Sequence, residues 1–177
     1  MKKEIDAAHS PFEIFMMLNK PYCLTFLKYA MPHLSKEDFS VMLADAWIRS
    51  ENPNMDRNLN KAALLEMFRQ ADPAELMEDS ERKELEKMDE VITVYRGVTS
   101  FNAKKIRSLS WTTEYETADW FAHRFEEEGT VYEAQIKKSH ILAYFGRRNE
   151  SEVIVDPKYL QNIQVAQEPM QGMKPAQ

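Results

Sequence analysis

Glycine is scarce in this chain and unevenly placed. Of 177 residues only Gly97, Gly129, Gly146 and Gly172 are glycine, and none falls in the first 96. A stretch that long without glycine lacks the residue tight hairpins favour, and helix is the natural alternative. Cysteine is scarcer still. The lone Cys23 excludes an internal disulfide and suits a reducing compartment. It lies in an apolar helical stretch with no base beside it, so it reads as a structural thiol. No apolar run approaches the ~20 residues that a membrane span requires. The opening segment MKKEIDAAHSPFEIFMML interrupts its apolar positions with acids and a proline, so no signal peptide is expected. These features predict a soluble, cytoplasmic protein without a membrane partner.

Familiar site chemistries are missing too. Neither G-x-x-x-x-G-K-[ST] nor G-x-G-x-x-G occurs, so no glycine loop cradles a phosphate. His9, His33, His123 and His140 stand at no metal-ligating spacing, and no metal is expected. A formal net charge of -6 argues against nucleic acid as a direct partner. It leaves room for a local basic pocket that takes a small anion.

What is present divides the chain near residue 90. Ser10-Pro11-Phe12-Glu13 has the pattern of a capping box with proline at the first helical position, and Ser35-Lys36-Glu37-Asp38 and Asp72-Pro73-Ala74-Glu75 repeat the idea. Phe39, Met42, Leu43 and Trp47, then Leu64, Met67 and Phe68, recur at helical spacing. A charged helix is expected over Ser80–Asp89, with Leu85 and Met88 inward. Met16, Met17, Met31, Met42 and Met67 are read as core filling in preference to a partner groove. After Val91 the composition turns β-branched and aromatic. VITVY, SLSWTT, TVYEAQIKK, ILAYF, SEVIV and LQNIQVAQ are six strand candidates. One helix interrupts them, capped near Thr113 and apolar along Ala118, Phe121, Ala122 and Phe125. The expected organisation is a helical subdomain over 1–90, a strand-rich core over 91–167 and a disordered tail over 168–177.

Two acids raise a question within GRRNESEVIVDP. Val153, Ile154 and Val155 read as a strand buried on both faces, yet Glu150 and Glu152 lead into it two residues apart. Alternation along a strand would put both on one face, roughly 6.5–7 Å apart. Like charges next to apolar residues are unfavourable unless something uses them. Two further features precede them in order: Arg96 at the end of a strand in VYRGV, and Ser110-Trp111-Thr112 on the next strand candidate.

Taken together, VYRGV, the Ile106-Arg107 pair ahead of Ser-x-Thr, the A-x-x-F-A of Ala118–Ala122 and the E-x-E-V-I of the late strand resemble the Arg-Ser-Glu class of mono-ADP-ribosyltransferases. The resemblance covers about 91–157. It implies an α+β chain whose strand-rich part is a split β-sandwich of the ADP-ribosyltransferase type, with NAD as substrate in the cleft between two sheets. It implies NAD binding by Arg96, Ser110 and Thr112, and catalysis by Glu152. It also implies that Glu150 serves the acceptor, since in that family a glutamate at this place goes with arginine.

The residue chemistry agrees. A guanidinium suits a diphosphate, and Gly97 beside Arg96 would let a ligand approach the backbone closely. A carboxylate facing the ribose stabilises the positive charge that grows as nicotinamide leaves. Only fourteen positions separate Arg96 from Ser110. That short interval leaves nicotinamide contacts to Trp111 or to the N-terminal helices. Tyr144 and Phe145 are placed to stack on an incoming guanidinium. The function expected is transfer of ADP-ribose from NAD to a protein side chain, arginine for preference. Two alternatives stay open: an NAD glycohydrolase with water as acceptor, and an inactive module of the same fold that grips a partner. Size and compartment fit an effector acting in the cytoplasm where it is made, a host cell included if a virus or prophage carries it.

Overall fold

The marked helix starts are used. In the computed structural model, which describes residues 10–50, 58–124 and 128–168, Ser10 accepts from the Glu13 N–H and opens α1 (Pro11–Met16). α2 (Lys20–Ala30) follows, and Ser35 caps α3 (Lys36–Arg49) through the Asp38 N–H at 3.0 Å. Asn60 caps α4 (Lys61–Gln70), and Asp72 caps the single turn α5 (Pro73–Leu76). The charged helix α6 (Asp79–Lys87) begins one residue before Ser80, with Glu78 as its cap residue. Each cap supplies an acceptor for an N–H that has no partner inside the helix.

All six strand candidates form strands: β1 (Val91–Val98), β2 (Ser110–Thr112), β3 (Thr130–Lys137), β4 (Ile141–Phe145), β5 (Glu152–Val155) and β6 (Gln161–Val165). They make one antiparallel sheet in the order β4-β5-β2-β1-β3-β6. The chain is therefore α+β. The join between β1 and β2 is the sheet's narrowest. β1 and β3 pair along their whole length, and β2 pairs with β5 throughout, but β1 and β2 share the single register pair Tyr95–Thr112. Two residues further on, the carbonyl of Ser110 accepts from the Arg96 guanidinium at 2.6 Å instead of from a backbone amide.

α7 (Tyr115–His123) packs against β1 and β3. It comes so close that a Cβ on Gly97 would lie 2.2 Å from the Ala118 carbonyl oxygen. Gly97 thus makes room for a helix. The expectation that its bareness admits a ligand is corrected on this point. The Phe125 position of that helix lies outside the described residues, as does the expected tail beyond Glu168.

Helices α4, α5 and α6 lie against β4. One apolar cluster runs from Phe15, Leu27 and Leu43 through Leu64 and Leu76 to Trp111, Val153 and Val155. The helical part and the sheet share this core. Met42 and Met67 are buried in it, whereas Met16 and Met17 are exposed.

Candidate functional site

β5 sits between β4 and β2, and Val153, Ile154 and Val155 are fully buried. Its first residue, Glu152, pairs with Thr112 on β2, where the sheet begins to part from β1. Alternation on β2 sends Ser110 and Thr112 to one face and Trp111 to the other. The Ser110 hydroxyl donates to Glu152 Oε1 at 2.5 Å. A second donor comes from a distant part of the chain. The Trp47 indole N–H reaches both carboxylate oxygens, at 3.1 and 3.2 Å.

Burial pushes the Glu152 carboxyl above the usual range, and the neighbouring Glu150 adds to that. The Ser110 and Trp47 donors and the Arg148 charge pull it back. Arg96 faces it from β1. Burial lowers the Arg96 guanidinium to about 10 while the Glu152 charge raises it, so it remains a cation at neutral pH. Its Nη1 is used by the Ser110 carbonyl, but its Nε is buried with no hydrogen-bond partner among the described residues. An orphaned guanidinium N–H is a costly feature of a fold and an open position for an acceptor.

These groups line one cleft holding about 800 Å³ of empty space, its open mouth included. Arg124 and Arg148 also border it. Three guanidiniums thus meet two carboxylates in a chain whose net charge is -6.

The acids converge by a different route from the one alternation suggests. β5 begins at Glu152, and Asn149 and Ser151 take φ values of 55° and 43°. Glu150 therefore belongs to a turn, and the turn delivers it to the cleft. The Thr112 hydroxyl donates to the Glu150 carbonyl at 2.7 Å, so Thr112 braces this turn. The Glu150 carboxylate pairs with Arg148 at 2.8 Å.

Three expectations change. Trp111 borders the cleft, but its indole is buried in the core with its N–H on the Ser108 carbonyl at 3.0 Å, so it offers no free ring to nicotinamide. Tyr144 and Phe145 lie in β4, buried under the N-terminal helices, and are absent from the cleft lining, so they do not receive an acceptor. Gly97 borders the cleft, yet its missing side chain serves α7.

Comparison with protein-family models, with curated proteins and with solved structures finds no match for this chain. The reading of the site therefore rests on its geometry and on the motif order.

Sequence reasoning missed Trp47, Arg124 and Arg148 as cleft residues. Trp47 carried one signal, the indole N–H of a residue on an apolar helical face, a donor that needs a partner when buried. Among the described residues no group of His, Cys, Asp and Glu is arranged to hold a metal ion, and no helix is long and apolar enough to cross a membrane.

Proposed function

We propose that this chain is an NAD-dependent mono-ADP-ribosyltransferase with the split β-sandwich architecture of that family. The observation that carries the reading is the Glu152 carboxylate, held by Ser110 and Trp47 at the seam of the sheet and facing the half-buried Arg96. The partly parted sheet, with one pairing between β1 and β2, supports the architecture.

The residues present fit NAD. Arg96, with an unused buried Nε, offers a donor to the diphosphate, and Arg124 and Arg148 add positive charge along the same cleft. Glu152 is aimed by two donors, so it can accept from a ribose hydroxyl and stabilise positive charge at the ribose carbon without reorganising. Nicotinamide departs as a neutral group, so the site needs no general acid. Glu150 is the candidate to orient an acceptor guanidinium and take its proton as the new bond forms. The target protein is a partner of unspecified identity, arginine is the acceptor side chain proposed, and the cytoplasm is the site of action proposed.

One observation favours hydrolysis as a second reading. Glu150 is already engaged by Arg148 at 2.8 Å, which leaves water as the acceptor needing the least rearrangement.

The test is incubation with labelled NAD and a cell lysate, scoring nicotinamide release and the destination of the label. Release is expected, with label on protein arginine, and Glu152→Gln should slow it on the order of 10²–10³-fold. Glu150→Gln should abolish transfer to protein and spare slow hydrolysis. Undiminished release by Glu152→Gln would sink the assignment. Label found on serine, asparagine or cysteine would defeat the arginine part, and label found only as free ADP-ribose would select hydrolysis.

A further inference from the structure

The helical part of the chain reaches the cleft through the last turn of α3. Trp47 in that turn is 1% exposed. Its ring meets Phe68 of α4 edge to face, centroids 4.9 Å apart at 83°, which fixes the indole in place. An indole has one donor and no acceptor. That donor is committed to Glu152, with nearly equal distances of 3.1 and 3.2 Å to the two oxygens. An N–H lying between both oxygens sets the direction of the carboxylate, while Ser110 holds Oε1 alone.

The same turn also acts on the second acid. The Ile48 and Ser50 carbonyls accept from Arg148 Nη1 at 2.9 and 3.5 Å, and Arg148 Nη2 pairs with Glu150 at 2.8 Å. Carbonyls at a helix C-terminus lack intrahelical partners and carry partial negative charge, so a guanidinium is well suited to them. Both acids are thereby held from one helix end, far from them in sequence.

We propose that the C-terminal turn of α3 is part of the catalytic apparatus, with Trp47 as the positioning residue for Glu152; this rests on the reading of Glu152 as the carboxylate that meets the ribose. Trp47 acts through Glu152 and does not touch the reacting atoms. Its N–H favours the ionised carboxylate. The other groups facing Glu152 are Arg96 from β1, Ser110 from β2, Arg148 and Glu150 from the turn, and Arg124 at the cleft border on the α7 side. Losing the N–H while these remain makes Glu152 harder to ionise and freer to rotate.

The experiment replaces Trp47 by phenylalanine and, by site-specific incorporation, by benzothienylalanine, which keeps the indole shape and removes the N–H. Circular dichroism and the thermal midpoint check the fold. At neutral pH kcat/KM for nicotinamide release should fall about ten- to hundredfold, the effect of one hydrogen bond to a charged group. The loss should lie in kcat more than in KM, and the acid limb of the pH–rate profile should move to higher pH. A purely packing role would not move that limb in the isosteric variant. In parallel, the Trp47 indole proton resonance of the otherwise unaltered protein should follow one titration that disappears in Glu152→Gln. Wild-type kcat with an unmoved acid limb in the benzothienylalanine protein would overturn the proposal, as would an indole resonance indifferent to Glu152→Gln. The resonance decides the contact even if the parent releases no nicotinamide, an outcome that would sink the reading of the site instead.

Discussion

Around Glu152, burial and hydrogen bonding push in opposite directions, and burial is the larger effect. The folded state therefore holds the Glu152 proton more tightly than the unfolded state does. Between the ordinary value of 4.5 and the raised one, the folded protein binds more protons, so stability falls as pH rises through that window. The activity proposed for this site would need the ionised form and so has the opposite sign, rising with pH over the same window. Glu152→Gln removes the burden of burying a charge and keeps an oxygen for Ser110 and Trp47. The variant should thus melt at a higher temperature than the parent at neutral pH, with the gap closing as pH approaches 4.5. Scanning calorimetry across pH checks this, and a variant less stable than the parent at every pH would contradict it. At this scale Arg96, Ser110 and Glu152 were legible because each stands at a fixed place in a short motif. Trp47 was not. Helical spacing says that a residue is buried, and it does not say that its one polar atom meets a residue 105 positions away. Tyr144 and Phe145 misled for a related reason: consecutive residues of a strand point to opposite faces, and here both faces are covered.

Among the elements, the turn between β4 and β5 is the one whose shape the sequence hid. It is pinned at its start by Glu81, a buried carboxylate that accepts from the Gly146 N–H at 2.9 Å and from Arg147 at 3.0 and 3.1 Å. Its further course needs Asn149 and Ser151 at positive φ, a conformation that polar Asn tolerates and β-branched residues avoid. Asn149 is exposed, so a substitution there reports on backbone preference with little packing change. Asn149→Val should cost about 1–2 kcal/mol in urea unfolding, while Asn149→Gly should be neutral or slightly stabilising. Equal effects of the two would rule out the conformational explanation. Strand alternation predicted that Glu150 and Glu152 share a site. They do, but the local twist of two left-handed residues brings them there, and no periodicity encodes that.

Across the whole molecule, the division near residue 90 is real in secondary structure and absent from the core. Among the described residues the elements before Val91 are all helical and strands dominate after it, as the glycine distribution and the β-branched runs foretold. Periodicity marks which face of a helix is apolar without naming what that face meets, so the shared core was invisible in the sequence. Because Leu64, Leu76, Trp111 and Val153 belong to one cluster, neither part keeps its interior without the other. Unfolding in urea should give coincident transitions by tryptophan fluorescence and by far-ultraviolet circular dichroism. Two separated transitions would show that the parts fold independently.

The seam between β1 and β2 has a mechanical consequence. A full antiparallel ladder resists opening because every rung must break together, whereas a join of one backbone pair and one arginine is a stitch that can act as a pivot. β1 with its partners carries Arg96, and β2 with β5 carries Ser110 and Glu152. Rotation about that stitch would change the span between the Arg96 cation and the Glu152 carboxylate while leaving each three-stranded ribbon intact, so the width of the cleft is tied to the join with the fewest paired residues in the sheet.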